Sequence, residues 1–354
     1  MRHLAVILAT ALSCAVLPAR SAEPTIGLAA PLTGPSGLLG AQIKTGAEAA
    51  VGKTGAALVV ADDQCSAEGG ASAARSFIEA RVGIVTGFLC TEAIEAALPL
   101  LKDAGIATIA TGVRTNALTD RRTKTGWLVA RLAPRADAET QAASDILGER
   151  WRGEHFAIVD DGTIYSRELA EGFRAAIERK GLKAVLVDTF RPQLDNQIGL
   201  LGRLRRAGAT HVFVAGDRAD IAVMGRDAAG LAYPLTIAGG EVLRAAGEDL
   251  DLADGTLMIG LPEWADIADP ATVAQMRETG IEPQGYVLPA FASVEVAAEA
   301  LKRAAANGTS PIDAIRGEEF QTVLGTIGFS GAGDRTDNPY RLFRHVGGKF
   351  EVVE

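Results

Sequence analysis

At 354 residues with a net charge of −9, the chain is acidic and carries no basic stripe, which argues against a nucleic-acid binder. Removal of an export signal leaves roughly 330 residues, more than one hydrophobic core usually spans, so two lobes are expected. Beyond that signal no apolar stretch approaches the ~20 residues of a membrane span, and the mature chain reads as soluble.

The chain begins with the signal. Arg2 and His3 form a short basic start, Leu4–Leu17 is apolar, and Pro18-Ala19-Arg20-Ser21-Ala22 offers small residues for cleavage near Ser21 or Ala22. Residues 1–22 are therefore read as a secretory signal peptide. A lipoprotein reading through Cys14 is set aside, because Ala11 stands three residues before it where a large aliphatic would be expected. The mature chain then keeps two cysteines, Cys65 and Cys90. In an oxidising compartment two cysteines are expected to pair, with a reactive thiol as the rival reading.

Thr25–Ala30 reads as a first strand, followed by a glycine-rich segment, Pro31 to Gly40, and a helix from about Ala41 to Val51. No Lys-Ser/Thr follows the glycines, so a backbone loop lining a cleft is favoured over a phosphate cradle. Leu58–Ala61 is a second strand and Gly70–Ala80 a helix. The stretch Val82 to Asp120 organises the rest. Val82–Thr86 is an apolar run without alternation, as in a strand buried on both faces. Glu92–Ala104 spaces Ile94, Ala97, Leu98 and Leu101 at helical intervals, and Ile106–Ala110 is the next strand. Such a unit brings the carboxyl ends of its strands and the amino end of its helix to one sheet edge, where open α/β sheets bind ligands. Leu89, Cys90 and Thr91 fall there, as do Gly112, Val113 and Arg114. Free N–H groups at a helix start favour an anion, and Thr91 and Arg114 would add donors. The alternative is an ordinary connection with a solvated arginine.

After Arg131-Leu132-Ala133-Pro134 the alternation begins again. Helices are expected over 137–151, 165–180, 197–207 and 220–229, with strands over 156–159, 184–190, 211–215, 235–238 and 256–261: a second doubly wound sheet. A long helix is expected over 285–307, short helices over 312–315 and 320–324, and a hairpin around Gly347-Gly348. Tyr165, Asp217 and Glu241 fall at the carboxyl ends of strands in this second sheet, toward the same cleft as Thr91. His155, His211 and His345 are isolated, and no hydrolase, zinc or P-loop signature occurs. Neither a metal, a cofactor nor a catalytic residue is expected. A carboxylate facing an amine, across from hydroxyls and a helix amino end facing a carboxylate, describes a site for a small zwitterion.

The chain resembles the branched-chain amino acid (Leu/Ile/Val-type) binding proteins of bacterial ABC importers, a type I periplasmic family. The residues that carry the resemblance are Pro31-Leu32-Thr33-Gly34-Pro35 with Gly40-Ala41-Gln42, Asp62-Asp63-Gln64-Cys65, Leu89-Cys90-Thr91 and Asn116-Ala117-Leu118-Thr119. Further along, Tyr165 with Glu168-Leu169-Ala170, Gly239-Gly240-Glu241 and Gly325-Thr326-Ile327-Gly328-Phe329 also match. The resemblance implies two Rossmann-like doubly wound lobes joined by three crossover segments and closing as a hinged trap. It divides the chain into 23–136 plus 266–326 and 137–265 plus 327–354. It places the ligand carboxylate on Thr91 and the loop after the next strand, the amine on Glu241, a cleft tyrosine at Tyr165, and a disulfide at Cys65–Cys90.

Departures from the family pattern fall in the cleft. Arg114 stands where a threonine is usual, Leu39 and Asp217 replace aromatics, and Tyr286 keeps another aromatic place. These changes suggest a more polar ligand than leucine, isoleucine or valine. The expected function is capture of an amino acid or related small carboxylate in the periplasm by a monomer that delivers it to an inner-membrane ABC permease. The alternatives are a sensor feeding a chemoreceptor or kinase, and an importer component for aromatic or other non-amino acids. An exported hydrolase is a third class, without a supporting motif.

Overall fold

The computed structural model describes residues 24–247 and 250–353; the signal peptide expected over 1–22 and Cys14 lie outside the described residues. The chain runs through β1 (Thr25–Ala30), α1 (Gly37–Thr54), β2 (Ala57–Asp62), α2 (Ala67–Glu79), β3 (Ile84–Gly87), α3 (Thr91–Asp103) and β4 (Ala107–Ala110). Two short helices, α4 (Ala117–Asp120) and α5 (Arg122–Thr125), precede β5 (Val129–Arg131). A first crossing leads to α6 (Ala138–Arg150), β6 (Phe156–Asp160), α7 (Ile164–Arg179), β7 (Leu186–Thr189), α8 (Ile198–Arg206), β8 (His211–Ala215), α9 (Arg218–Gly230) and β9 (Thr236–Gly239). A 3-10 turn, Glu241–Arg244, and β10 (Leu257–Gly260) follow. The second crossing passes through α10 (Trp264–Ile267) and α11 (Pro270–Glu278) to α12 (Val287–Asn307) and the hairpin β11 (Glu319–Thr322) and β12 (Gly325–Gly328). The third crossing reaches β13 (Arg341–Val346) and β14 (Lys349–Val352).

The first sheet is parallel throughout, in the order β2-β1-β3-β4-β5. The second repeats that order as β7-β6-β8-β9-β10, and the antiparallel β13 and β14 extend it. In each sheet the order of strands reverses beside its first strand, so each has a switch point where a crevice opens at the carboxyl ends. In the first lobe that point lies between β1 and β3, beside α3.

Both faces of each sheet carry an apolar core. On one face of the first sheet Ile26, Leu28 and Ile109 pack with Leu288, Phe291 and Val294 of α12 and with Phe320 and Ile327 of the hairpin. The other face packs on α2 and α3 through Phe77, Ile94 and Leu98. In the second lobe Val159, Val214 and Leu204 fill one face and Phe173, Phe213 and Trp151 the other. Helix α12 lies on α1 so closely that a Cβ added at Gly46 would sit 1.9 Å from the Val287 carbonyl oxygen.

Three local readings are corrected. Residues 312–315 were expected as a short helix but form a turn, too short a stretch to sustain helical bonding. Residues 320–324 were expected to be helical, but Phe320 and Ile327 face the core opposite each other in a hairpin whose turn has Gly325 at φ +85°. Five residues hold less than two helical turns, and the outward Glu319 and Gln321 follow a period of two. Helix α1 starts at Gly37 rather than Ala41, so Leu38, Leu39 and Gly40 lie in its first turn instead of a cleft loop.

Cys65 and Cys90 form a disulfide between the end of β2 and the start of α3, closing 25 residues of sequence. Closing a loop of that length stabilises by about 3–4 kcal/mol in the chain-entropy model. Gln64, Cys65 and Phe88 beside it all have positive φ, near 52°, 53° and 58°. Such backbone is strained for these residue types, and here it sits at the carboxyl-terminal edge of the first sheet.

Asp63 lies under this disulfide, fully buried, with Oδ1 accepting from the Cys65 N–H at 2.9 Å and Oδ2 unpartnered among the described residues. Burial raises its pKa from 3.8 to about 6 against the pull of the Cys65 N–H, with Asp62 adding repulsion. The unfolded chain therefore loses this proton first. Below the ordinary value the group is neutral in both states and costs nothing. Above about 6 the folded state carries the full penalty of about 2–3 kcal/mol. Stability should thus fall from this source as pH rises from about 4 to 6, and Asp63→Asn should flatten that slope. Urea unfolding at pH 4, 6 and 8 measures it; parallel profiles for the two proteins would exclude Asp63 as the source.

Candidate functional site

Helix α3 begins at Thr91 behind Cys90, whose side chain makes no capping bond, so the N–H groups of the first turn are left to the cleft. Behind them a buried hydroxyl network fixes the strand ends. Thr111 Oγ1 accepts from the Gly87 N–H at 3.1 Å and donates to Ser293 Oγ at 2.9 Å, and Thr86 joins both hydroxyls. This network ties α12 to the ends of β3 and β4. Leu89 and Tyr286 close over Gly112, where an added Cβ would lie 2.8 Å from Leu89 Cδ1 and 3.2 Å from Tyr286 Cε1. Val113, expected at the ligand edge, turns its side chain into the core on the α3 face.

Arg114 is half-buried, and its Nη2 donates to the Tyr340 hydroxyl while its guanidinium lies 5.5 Å from the centre of that ring. Its Nε is buried and unpartnered among the described residues. The loop that carries it is held from below: its carbonyl accepts from Arg131 Nη1 at 3.0 Å and from the Ala136 N–H at 2.8 Å. Arg131 is fully buried and also donates from Nε to Asp334 at 3.0 Å, from Nη2 to the same carboxylate, from Nη2 to Thr119 at 2.7 Å and from Nη1 to the Thr115 carbonyl. Arg135 adds a second cation to Asp334 at 3.2 Å. First and third crossings are thereby joined directly beneath the Arg114 loop.

Across the cleft stands Glu139, in the first turn of α6 and only 7% exposed. Its Oε1 accepts from the Glu241 N–H at 2.7 Å and its Oε2 from the Tyr165 hydroxyl at 3.5 Å. Burial raises its pKa, opposed by the Glu241 N–H and by the positive charge of Arg114. Tyr165 is exposed along the rest of its ring. Glu241 turns away from this group: Oε1 accepts from Arg244 Nε at 3.2 Å and Oε2 from the Leu261 N–H.

The sequence matches the periplasmic binding protein family over residues 23–349. The chain belongs to that family. Among relatives of this periplasmic binding protein is the Leu/Ile/Val-binding protein BraC3 of Rhizobium johnstonii, 27% identical with 97% of each chain covered. A substrate-binding protein of a Desulfitobacterium hafniense ABC transporter, solved in complex with Leu, superposes with a TM-score of 0.70 at 22% identity, covering 94% of this chain and 100% of that one. A solute-binding protein of a Rhodopseudomonas palustris ABC transporter, solved with p-hydroxybenzoic acid, gives 0.65 at 17% identity, covering 92% and 94%.

Of the residues singled out in the sequence of this periplasmic binding protein, Leu89, Gly112 and Tyr286 form one group, with Thr91 at the adjoining helix start and Arg114 two residues beyond Gly112. Tyr165 joins Glu139 opposite. Leu39 lies partly exposed on the first turn of α1. Asp217 opens α9 and lines a cavity of about 540 Å³ with Leu194, Arg218, Asp220, Val242 and Leu250. Glu139, Tyr340 and Arg131 were not anticipated. A Glu in a helix's first turn is already explained by the dipole, and Arg131 marked only a boundary. Among the described residues no cluster of His, Cys, Asp or Glu could hold a metal, and no helix is long and apolar enough to cross a membrane.

Proposed function

We propose that this periplasmic binding protein is the solute-capturing component of an ABC importer, working as a monomer that closes on a small carboxylate and presents it to an inner-membrane permease. The observation that carries the reading is the pairing of the open amino end of α3 with the Arg114 guanidinium at one sheet edge, opposite a polar second lobe. Arg114, with one buried N–H unpartnered, offers the anion a charge-assisted contact. Closure then follows from the ligand's preference for the closed form. The importer relatives and the leucine-bound structural neighbour support an amino acid. Tyr165, Tyr286 and Tyr340 around Arg114 and Glu139, together with the p-hydroxybenzoic acid complex of a second neighbour, support an aromatic acid as the other ligand class.

Calorimetric titration of the mature protein with valine, glutamate and 4-hydroxybenzoate tests the proposal. At least one should bind, and isobutylamine, which is valine without its carboxylate, should not. Arg114→Thr should weaken the bound acid by about 10- to 100-fold, the scale of a lost charge-assisted hydrogen bond. Failure of every acid to bind would end the capture reading. Unchanged affinity in Arg114→Thr would remove Arg114 from the site.

A further inference from the structure

The carboxylate that family resemblance assigns to a ligand amine is already occupied. Glu241 gives Oε1 to Arg244 at 3.2 Å and Oε2 to the Leu261 N–H, and Arg244 itself is held by Glu263 at 2.7 Å and by the Leu261 carbonyl. The Arg244 guanidinium also lies 5.2 Å from the Phe343 ring. Turning Glu241 toward the cleft would leave the Arg244 cation without one of its two acid partners and the Leu261 N–H without an acceptor. Its charge is neutralised within its own lobe.

Glu139 has the opposite balance. The residue is buried, and no ion pair to its carboxylate forms among the described residues. Its neutral partners are the Glu241 N–H at 2.7 Å on Oε1 and a long contact from Tyr165 at 3.5 Å on Oε2. Arg114 influences it only across the cleft. Gly240 makes room for it, since a Cβ there would fall 2.2 Å from Oε1. A buried carboxylate whose Oε2 has one weak donor is short of hydrogen bonds, and a charged group in that condition needs a donor. The first turn of α6 holds the carboxylate in place and favours its negative charge.

We infer that Glu139, in place of Glu241, receives the hydrogen-bond-donating end of the ligand, an ammonium or a phenolic hydroxyl, while Arg114 and the α3 amino end hold its carboxylate. The inference rests on the proposed capture of a small carboxylate and names the second chemical requirement of the ligand. The two anchors stand on different lobes, so a ligand with an acid at one end and a donor at the other bridges them and stabilises closure. A plain acid engages one lobe only.

Two matched pairs test this by calorimetry: valine against isovalerate, and 4-hydroxybenzoate against benzoate. In the wild type the donor-bearing member of whichever pair binds should be at least tenfold tighter. Glu139→Gln keeps an acceptor for the Glu241 N–H and replaces Oε2 by an NH₂ group. It should lose about 10- to 100-fold for the donor-bearing ligand and change the plain acid less than threefold. Glu241→Gln should change every ligand less than threefold. Equal wild-type affinity within both pairs overturns the inference and leaves acid capture standing, and this needs no variant to fold. A tenfold or larger loss in Glu241→Gln with none in Glu139→Gln returns the role to Glu241. If neither these four compounds nor glutamate binds, the capture reading fails together with the inference.

Discussion

Arg131→Met is expected to lower the unfolding free energy of this periplasmic binding protein by about 3–5 kcal/mol, the scale for removing one partner of a buried ion pair. All five N–H groups of the wild-type guanidinium are used: Nε and Nη2 on Asp334, Nη2 also on Thr119, and Nη1 on the carbonyls of Arg114 and Thr115. Methionine fills similar space but leaves two carbonyls without this donor and strips Asp334, itself largely covered, of its better cation. Arg135 remains at 3.2 Å and keeps the loss below that of a fully orphaned charge. Arg131→Lys should recover less than half, because a single ammonium cannot reach three directions at once. Urea unfolding of the three proteins gives the numbers. A loss under 1 kcal/mol for Arg131→Met would mean that the crossings hold together without this residue.

Gly46→Ala is expected to cost about 3 kcal/mol, while Gly52→Ala in the same helix should stabilise by about 0.5–1 kcal/mol. Alanine is the better helix former at both positions, so intrinsic propensity gives the two changes the same sign. Packing separates them. The new methyl at position 46 would fall 1.9 Å from the Val287 carbonyl oxygen, and backbone cannot move aside as a side chain does. At position 52 nothing lies within 4 Å. Thermal unfolding of both variants decides it; two stabilised proteins would show that α1 and α12 can separate without loss.

Most of the architecture was readable because buried parallel strands and amphipathic helices advertise themselves locally. β1 was placed residue for residue at Thr25–Ala30, and the β13–β14 hairpin followed from Gly347-Gly348. Where the reading failed, the local signal was shared by two structures. Phe320–Leu324 is too short to separate a period of two from a period of 3.6, and only pairing with Gly325–Gly328 decided it. Helix α11 (Pro270–Glu278) went unread because its weakly apolar stripe, Val273 and Met276, buries little. At the site, strand ends placed Thr91, Gly112, Arg114 and Tyr165 at the edges of the two sheets. Position at an edge did not reveal orientation. Val113 turns inward and Glu241 turns back to Arg244. Glu139 and Tyr340 gain their place only when the chain has crossed between lobes, which no local spacing encodes.

The packing of α12 on α1 also sets an order of events for a growing chain. The Tyr286 N–H donates to the Gln42 side chain across 244 residues of sequence, and Leu288, Phe291 and Val294 share with α1 and the β11–β12 hairpin the covering of one face of a sheet whose five strands end at Arg131. A chain delivered from its N-terminus presents those strands first, and the sheet waits for this part of its cover. During that interval the part of that face over β3 and β4, beyond the reach of α1, is open to any other surface that will take it. The second lobe, encoded in between, can assemble its sheet from local βαβ units while one face of the first is still only partly covered. Contacts of such long range slow the final docking step, so the exposed first sheet is where a holding chaperone would have most to cover.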